Sequence, residues 1–294
     1  MAEPRAAGTI YDLGYQRYTG VRYGRGHSVW RLIAFSFRQA WGLGRGGRAR
    51  QAPIIIAIIA FIPAVVQIGI ASMTGQATFI NYASYLNFTS FLIALFTAAQ
   101  APELIIPDRQ HGVLPLYVSR PILGIDYALA KLAALVLAMF ALTVLPQLFL
   151  FVGKVFISAT PWPAFKDEWR KLLPIIGGTL GTSLLMATLG LAIASFAARK
   201  AFGNAAVIAY FLAMPAAVTI IHSIATGDTK KYSVLFHPVW LINGFASWLF
   251  DVEARRRSVI ARTDLPGTAY LYTLLAFSLV AGGVLVWRYR RRGS

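Results

Sequence analysis

Residues 53–72 read PIIIAIIAFIPAVVQIGIAS, twenty residues without one charge. A helix needs about 20 apolar residues to cross the hydrocarbon core of a bilayer. Comparable stretches lie near 84–106, 127–151, 172–197, 204–226 and 267–288. Over such lengths only helices satisfy every backbone group in lipid. The expected fold is therefore an all-α integral membrane bundle of six transmembrane helices.

Composition agrees. Of 294 residues, 57% are hydrophobic and 13% charged, yet the net charge is +17. Soluble domains carry about 25% charged residues. Mean hydropathy is +0.60, too apolar for a disordered chain. There is no cysteine, which excludes disulfides, thiolate metal sites and cysteine nucleophiles. Arg outnumbers Lys by 21 to 7, a compositional hint of a GC-rich bacterial genome; the expected location is the bacterial cytoplasmic (inner) membrane. No apolar run of signal type opens the chain, and no cleaved leader is expected.

Charge sets the orientation. Residues 1–52 form a basic N-terminal region with nine Arg, and 289–294 a basic tail. With the N-terminus inside, the cytoplasmic segments hold 18 basic and 4 acidic residues, a balance of +14. The outer segments hold 10 and 6, a balance of +4, and Glu103 lies within a span. Cytoplasmic loops favour Lys and Arg, so both termini are expected in the cytoplasm.

Two segments need separate treatment. Residues 232–250, YSVLFHPVWLINGFASWLF, are nearly long enough to cross, but His237, Pro238, Asn243 and Gly244 interrupt them. Trp240, Trp248 and Phe250 suit the interface, so an interfacial or re-entrant external element before the last span is expected. A seventh span is the alternative. Residues 27–41, HSVWRLIAFSFRQAW, have a helical period. His27, Ser28, Arg31, Arg38 and Gln39 share one face; Val29, Trp30, Leu32, Ile33, Phe37, Ala40 and Trp41 share the other, with Phe35 a misfit. This predicts an amphipathic helix in the membrane plane, ended by glycines 42, 44, 46 and 47.

Chemistry is sparse. Histidines 27, 111, 222 and 237 form no close pair, whereas a zinc site takes at least three protein ligands. The glycines at 42–47 lack the Lys-Ser/Thr ending and preceding strand of a phosphate-binding loop. No catalytic, cofactor-binding or metal residue is therefore assigned. Asp167 and Glu168, beside Lys166 and Arg170, read as a solvated ion-pair cluster. Glu103, the one acidic residue in a span, is expected to face headgroups or a neighbouring loop. Asn87, Ser90 and Thr97 fall within about 80° of each other on the second span. They are a candidate substrate path, or they bond neighbouring helices, the commoner use. Gly177 and Gly181 form a small-xxx-small face, suited to close helix packing or a dimer contact.

The most informative loop is 107–131, PDRQHGVLPLYVSRPILGIDYALAK. Asp108 is expected to start a short helix, and Asp126 the third span. Leu114, Leu116, Tyr117 and Val118 are too apolar for an idle loop. Such a helix rimmed by charge suits docking; folding back onto the bilayer is the alternative.

This loop resembles the cytoplasmic loop of type-2 ABC exporter permeases. There an acid and a base precede Gly-x-Leu, and a Leu, Ser-Arg-Pro, a Tyr and a Lys follow. Here these are Asp108, Arg109, Gly112, Leu114, Leu116, Ser119, Arg120, Pro121, Tyr127 and Lys131. YDLGYQRYTG at 11–20 is also similar to the N-terminal region of actinobacterial-type members. The resemblance implies a non-catalytic permease that pairs with a second copy or a homologue. Two ABC ATPase subunits, holding ATP and Mg, would dock beneath. Residues from Asp108 to Pro121, His111 included, would be the coupling helix, 27–41 the connecting helix and 232–250 the re-entrant element. Family substrates range over drugs, peptides, lipids and polysaccharides. The competing readings are an ion-coupled secondary transporter, a lipid-modifying membrane enzyme and a non-transporting membrane scaffold. Anionic lipid is an expected neighbour of the Arg-rich ends, and nucleic acid is not an expected partner.

The absence of cysteine allows a direct topology test. A single Ser258→Cys variant should react with an impermeant thiol reagent added outside the cell. Protection at this site would favour seven crossings.

Overall fold

The computed structural model describes residues 20, 23–44, 46–75, 81–113, 122–158, 160–252, 259–263 and 265–290. These residues form helices and no strand. In chain order they are α1 (Arg25–Ala40), α2 (Gly47–Thr74), α3 (Tyr82–Gln110), α4 (Gly124–Ile157), α5 (Pro161–Glu168), α6 (Leu172–Phe196), α7 (Lys200–Ile224), α8 (Gly227–Ser233), α9 (Pro238–Leu249) and α10 (Gly267–Arg290). Six are long and apolar enough to cross a membrane: α2, α3, α4, α6 (with the α5 segment leading into it), α7 and α10.

Their arrangement follows from the solvent. Lipid tails are as apolar as Leu, so burying apolar surface does not drive helices together; packing and polar contacts do. The least apolar spanning helix, α3, accordingly sits at the centre, with 72% of its best spanning stretch buried. It packs against α4, α6, α7 and α9. The most apolar, α2, stays at the rim, and only 11% of the α7 stretch is buried. Inside the bundle, most threonine hydroxyls bond their own helices. Thr89, Thr97, Thr143, Thr179, Thr182 and Thr188 each donate to a carbonyl four residues back. That satisfies their donors within the helix, and among the described residues the Thr97 hydroxyl alone of the six also meets another helix, at Met139 Sδ (3.9 Å).

Close approach is built on glycine. A Cβ on Gly190 of α6 would strike the Thr97 methyl of α3. Gly177 and Gly181 face Leu249 and Phe245 of α9, so the small-residue face packs within this chain.

The bundle has two ends. At one, α1 meets the start of α4, and a Cβ on Gly124 would strike the Tyr289 carbonyl of α10. The ends of α3 and α6 lie there too, joined by Arg109, and Arg288 of α10 reaches the same point. At the other end the Tyr82 hydroxyl donates to Glu168 (3.0 Å), which also pairs with Lys171 (2.7 Å). Lys154 lies 4.2 Å from the centre of the Tyr82 ring. Glu168 thus ties α3 to the link before α6 instead of forming a free solvated cluster.

The segment 232–250 does not cross. The α9 helix has 12 residues, about 18 Å at 1.5 Å per residue, against about 30 Å of hydrocarbon. Both of its ends stay at the far end of the bundle: Trp240 sits against His222 of α7, and Phe250 stacks near Tyr82 of α3. Leu241, Ile242, Phe245 and Ala246 are buried toward α3, α6 and α10. His237 caps the helix, its Nδ1 accepting from the Trp240 amide at 3.2 Å. That requires a neutral ring, and burial lowers its pKa to about 4.

Three helices run well past the expected spans: the first from 47 to 74, the second from 82 to 110 and the third from 124 to 157. Asp108 therefore does not start a short helix. It lies in the last turn of α3, which continues past Pro107 because Asp108 and Arg109 both find partners in the bundle.

Filling the α3–α6 contact should be costly. Gly190→Val is expected to destabilise by about 1–3 kcal/mol, the usual cost of overpacking. A lower melting temperature in detergent would show it. Gly283→Ala, where an added Cβ meets nothing within 4 Å, should leave the melt unchanged.

Candidate coupling site at the face bearing both tails

Lys131 is the centre of this site. Its side chain is fully buried, and an unpaired ammonium there would be very costly. Its Nζ lies 2.8 Å from Asp108 Oδ2 and donates to Gln39 Oε1 at 3.3 Å. The Tyr127 hydroxyl, one helical turn earlier, donates to the same Asp108 oxygen at 2.9 Å. Lys131 also sits 5.5 Å from the Tyr127 ring centre, and that ring packs on Tyr289 of α10. Three residues of the loop pattern, Asp108, Tyr127 and Lys131, therefore meet at one carboxylate.

The network extends through Gln39. Its Nε2 donates to the Glu103 carbonyl at 3.2 Å. The Glu103 carboxylate pairs with Lys200 at the start of α7. Glu103 thus faces a neighbouring link, as expected. Gln39 is a correction: helical projection puts it on the polar face of α1, yet it is buried with Leu32, Ser36 and Ala40. The exposed arc holds Arg31 and Arg38, flanked by Trp30 and Phe35. A polar residue facing protein looks, in projection, the same as one facing water, and this misplaced Gln39.

Neighbouring bonds fix the loop stems. Arg109 donates to the carbonyls of Ser195 (2.7 Å) and Ala197. Arg288 reaches the Ser195 carbonyl at 2.6 Å and lies 4.3 Å from the Phe196 ring centre. Cations at these last carbonyls of α6 also complement its dipole. Arg25 makes a bidentate pair with Asp126 at 2.7 and 2.8 Å, and Asp126 accepts from the Leu123 amide at the start of α4. This clamps α1 to the returning stem.

His111 and Gly112 close α3. Val113 N–H bonds the Asp108 carbonyl at 2.9 Å and Gly112 N–H the Arg109 carbonyl at 3.3 Å. That double bond pattern needs a left-handed residue, and Gly112 has φ +64°. His111 is exposed. Leu114, Leu116, Ser119, Arg120 and Pro121 lie outside the described residues, as does the stretch 11–19.

The residues of the candidate substrate path all lie on α3. Ser90 donates to the Asn87 carbonyl at 2.6 Å, and Thr97 to the Ile93 carbonyl at 2.7 Å while packing on Gly190. Asn87 Oδ1 is buried without a hydrogen-bond partner among the described residues. So are the side-chain amides of Gln67 on α2 and Gln147 on α4, two helices in contact. Neither glutamine stands out in sequence, because each sits singly in an apolar run. No group of three His, Asp or Glu able to hold a metal occurs among the described residues.

Removing one partner of the central pair should be worse than removing both. Asp108→Ala is expected to cost about 3–5 kcal/mol, because it leaves a buried charge alone. Thermal unfolding should show the double variant Asp108→Asn, Lys131→Met losing less stability than Asp108→Ala alone. No protein-family model matches this chain, and no curated protein matches it.

Proposed function

We propose that the chain is the permease subunit of an ABC transporter, an exporter of the bacterial cytoplasmic membrane, moved by separate ATPase subunits. One observation supports this best. The two stems of the loop with the permease-like pattern are tied by Asp108, Tyr127 and Lys131 into the bundle. Through Gln39, Glu103 and Arg109 the same stems reach α1, α6 and α7. A push on the loop from outside the membrane would be felt across the bundle. ATP binding would draw two ATPase subunits together, and the loop would transmit that motion to two paired permeases. A partner can shift such an equilibrium only by binding one state better.

The buried Asp108–Lys131 pair gives the ion-coupled transporter reading its one support, since such transporters use intramembrane charges. Its position argues otherwise. Coupling sites lie near the bilayer midplane, whereas Asp108 is in the final turn of α3, beside the loop.

The test is whether an ABC ATPase co-purifies with this chain from its native membrane. Leu114→Asp with Leu116→Asp should abolish co-purification while membrane insertion and melting temperature stay unchanged. Undiminished complex formation would sink the coupling role. Arg109→Glu is a poorer probe, because Arg109 is bonded inside the bundle.

A further inference from the structure

At the end opposite the tails, a cavity of about 400 Å³ opens between the end of α7, α8 and the 3-10 turn Ile260–Arg262. Lys230, Lys231 and Arg262 line it, with His222, Ser223 and Thr263. None of the three cations is ion-paired among the described residues. The nearest described acid in sequence, Asp228, is exposed on α8 and does not line the cavity.

His222 is held in place. Its Nδ1 lies 3.1 Å from the Lys230 carbonyl and 3.0 Å from Ser233 Oγ, and its ring meets Trp240 edge to face. A carbonyl only accepts, so Nδ1 carries the proton in that bond. Nε2 is left with no hydrogen bond among the described residues. Three cations with no ion-pair partner among the described residues surround one cavity, and their positive field attracts an anion. They also offer the donors that phosphate oxygens take.

The setting narrows the source. The cavity lies at the last turn of α7, the least buried of the spanning helices. Ile220, Ile221 and Ile224 in that turn are exposed, where acyl chains would lie. A phosphate at the depth of this cavity would sit just above an acyl chain on α7. We propose that the cavity binds an anionic phosphate group presented by the headgroup of an acidic phospholipid in the adjoining leaflet. This does not depend on the permease reading.

The chain has no cysteine, so a local probe is clean. Ser223→Cys, labelled with an environment-sensitive fluorophore, is reconstituted in phosphatidylcholine bilayers with rising phosphatidylglycerol. Emission should shift and saturate. Lys230→Gln, Lys231→Gln and Arg262→Gln together should weaken that response about tenfold or more, since charge-assisted bonds are lost. Native mass spectrometry of the unlabelled chain should count one fewer phosphatidylglycerol on the triple variant, and Arg262→Gln alone should show part of the loss if the triple variant folds poorly. An identical titration in wild type and variants, or equal response to phosphatidylcholine alone, would overturn the site. The same shift from inorganic phosphate without phosphatidylglycerol would overturn the lipid source.

Discussion

A lysine ammonium enclosed on every side must be neutralised and hydrogen-bonded, or the helix bearing it cannot stay where it is. Lys131 imposes that condition here. Its demands decide where Asp108 points, why α3 runs beyond Pro107, and why a glutamine of α1 turns inward. Much of the organisation at that end of the bundle follows. With Gln39 committed, α1 is pinned on the bundle instead of floating in the interface. With Asp108 committed, the returning stem of the loop has one register against the departing stem.

The rest of the bundle obeys a weaker rule. Faces bearing Ser and Thr go inside, and faces rich in Ile and Val go outside. The contrast between α3 and α2 illustrates it. Thr97 against Gly190 shows the means, since an absent side chain on one helix makes room for a methyl on another.

How much of this was legible depends on range. The six spans were, because uncharged runs of twenty residues leave few alternatives in lipid. The short element was too, since His237 and Pro238 break its run and α9 is correspondingly short, although Gly244 lies inside that helix. The partners of buried polar groups were not. Glu103 finds Lys200 and Arg109 finds Ser195 across large sequence separations, and neither pairing leaves a periodic trace. Gln39 was misplaced for a related reason: amphipathic projection sorts residues by polarity and cannot tell water from a buried lysine. Asp108 looked like a cap because acids often precede helices, but a helix-ending glycine four residues later marks the opposite boundary.

The shortness of α9 settles a matter of parity. An element that dips into one side and returns adds nothing to the tally of traversals, so that tally stays even. The Arg25 and Arg290 ends of the described chain consequently emerge on the same side of the barrier. Whatever compartment that is, Arg25, Arg109 and Arg288 lie at that one end of the bundle, and their charges share one preference of leaflet.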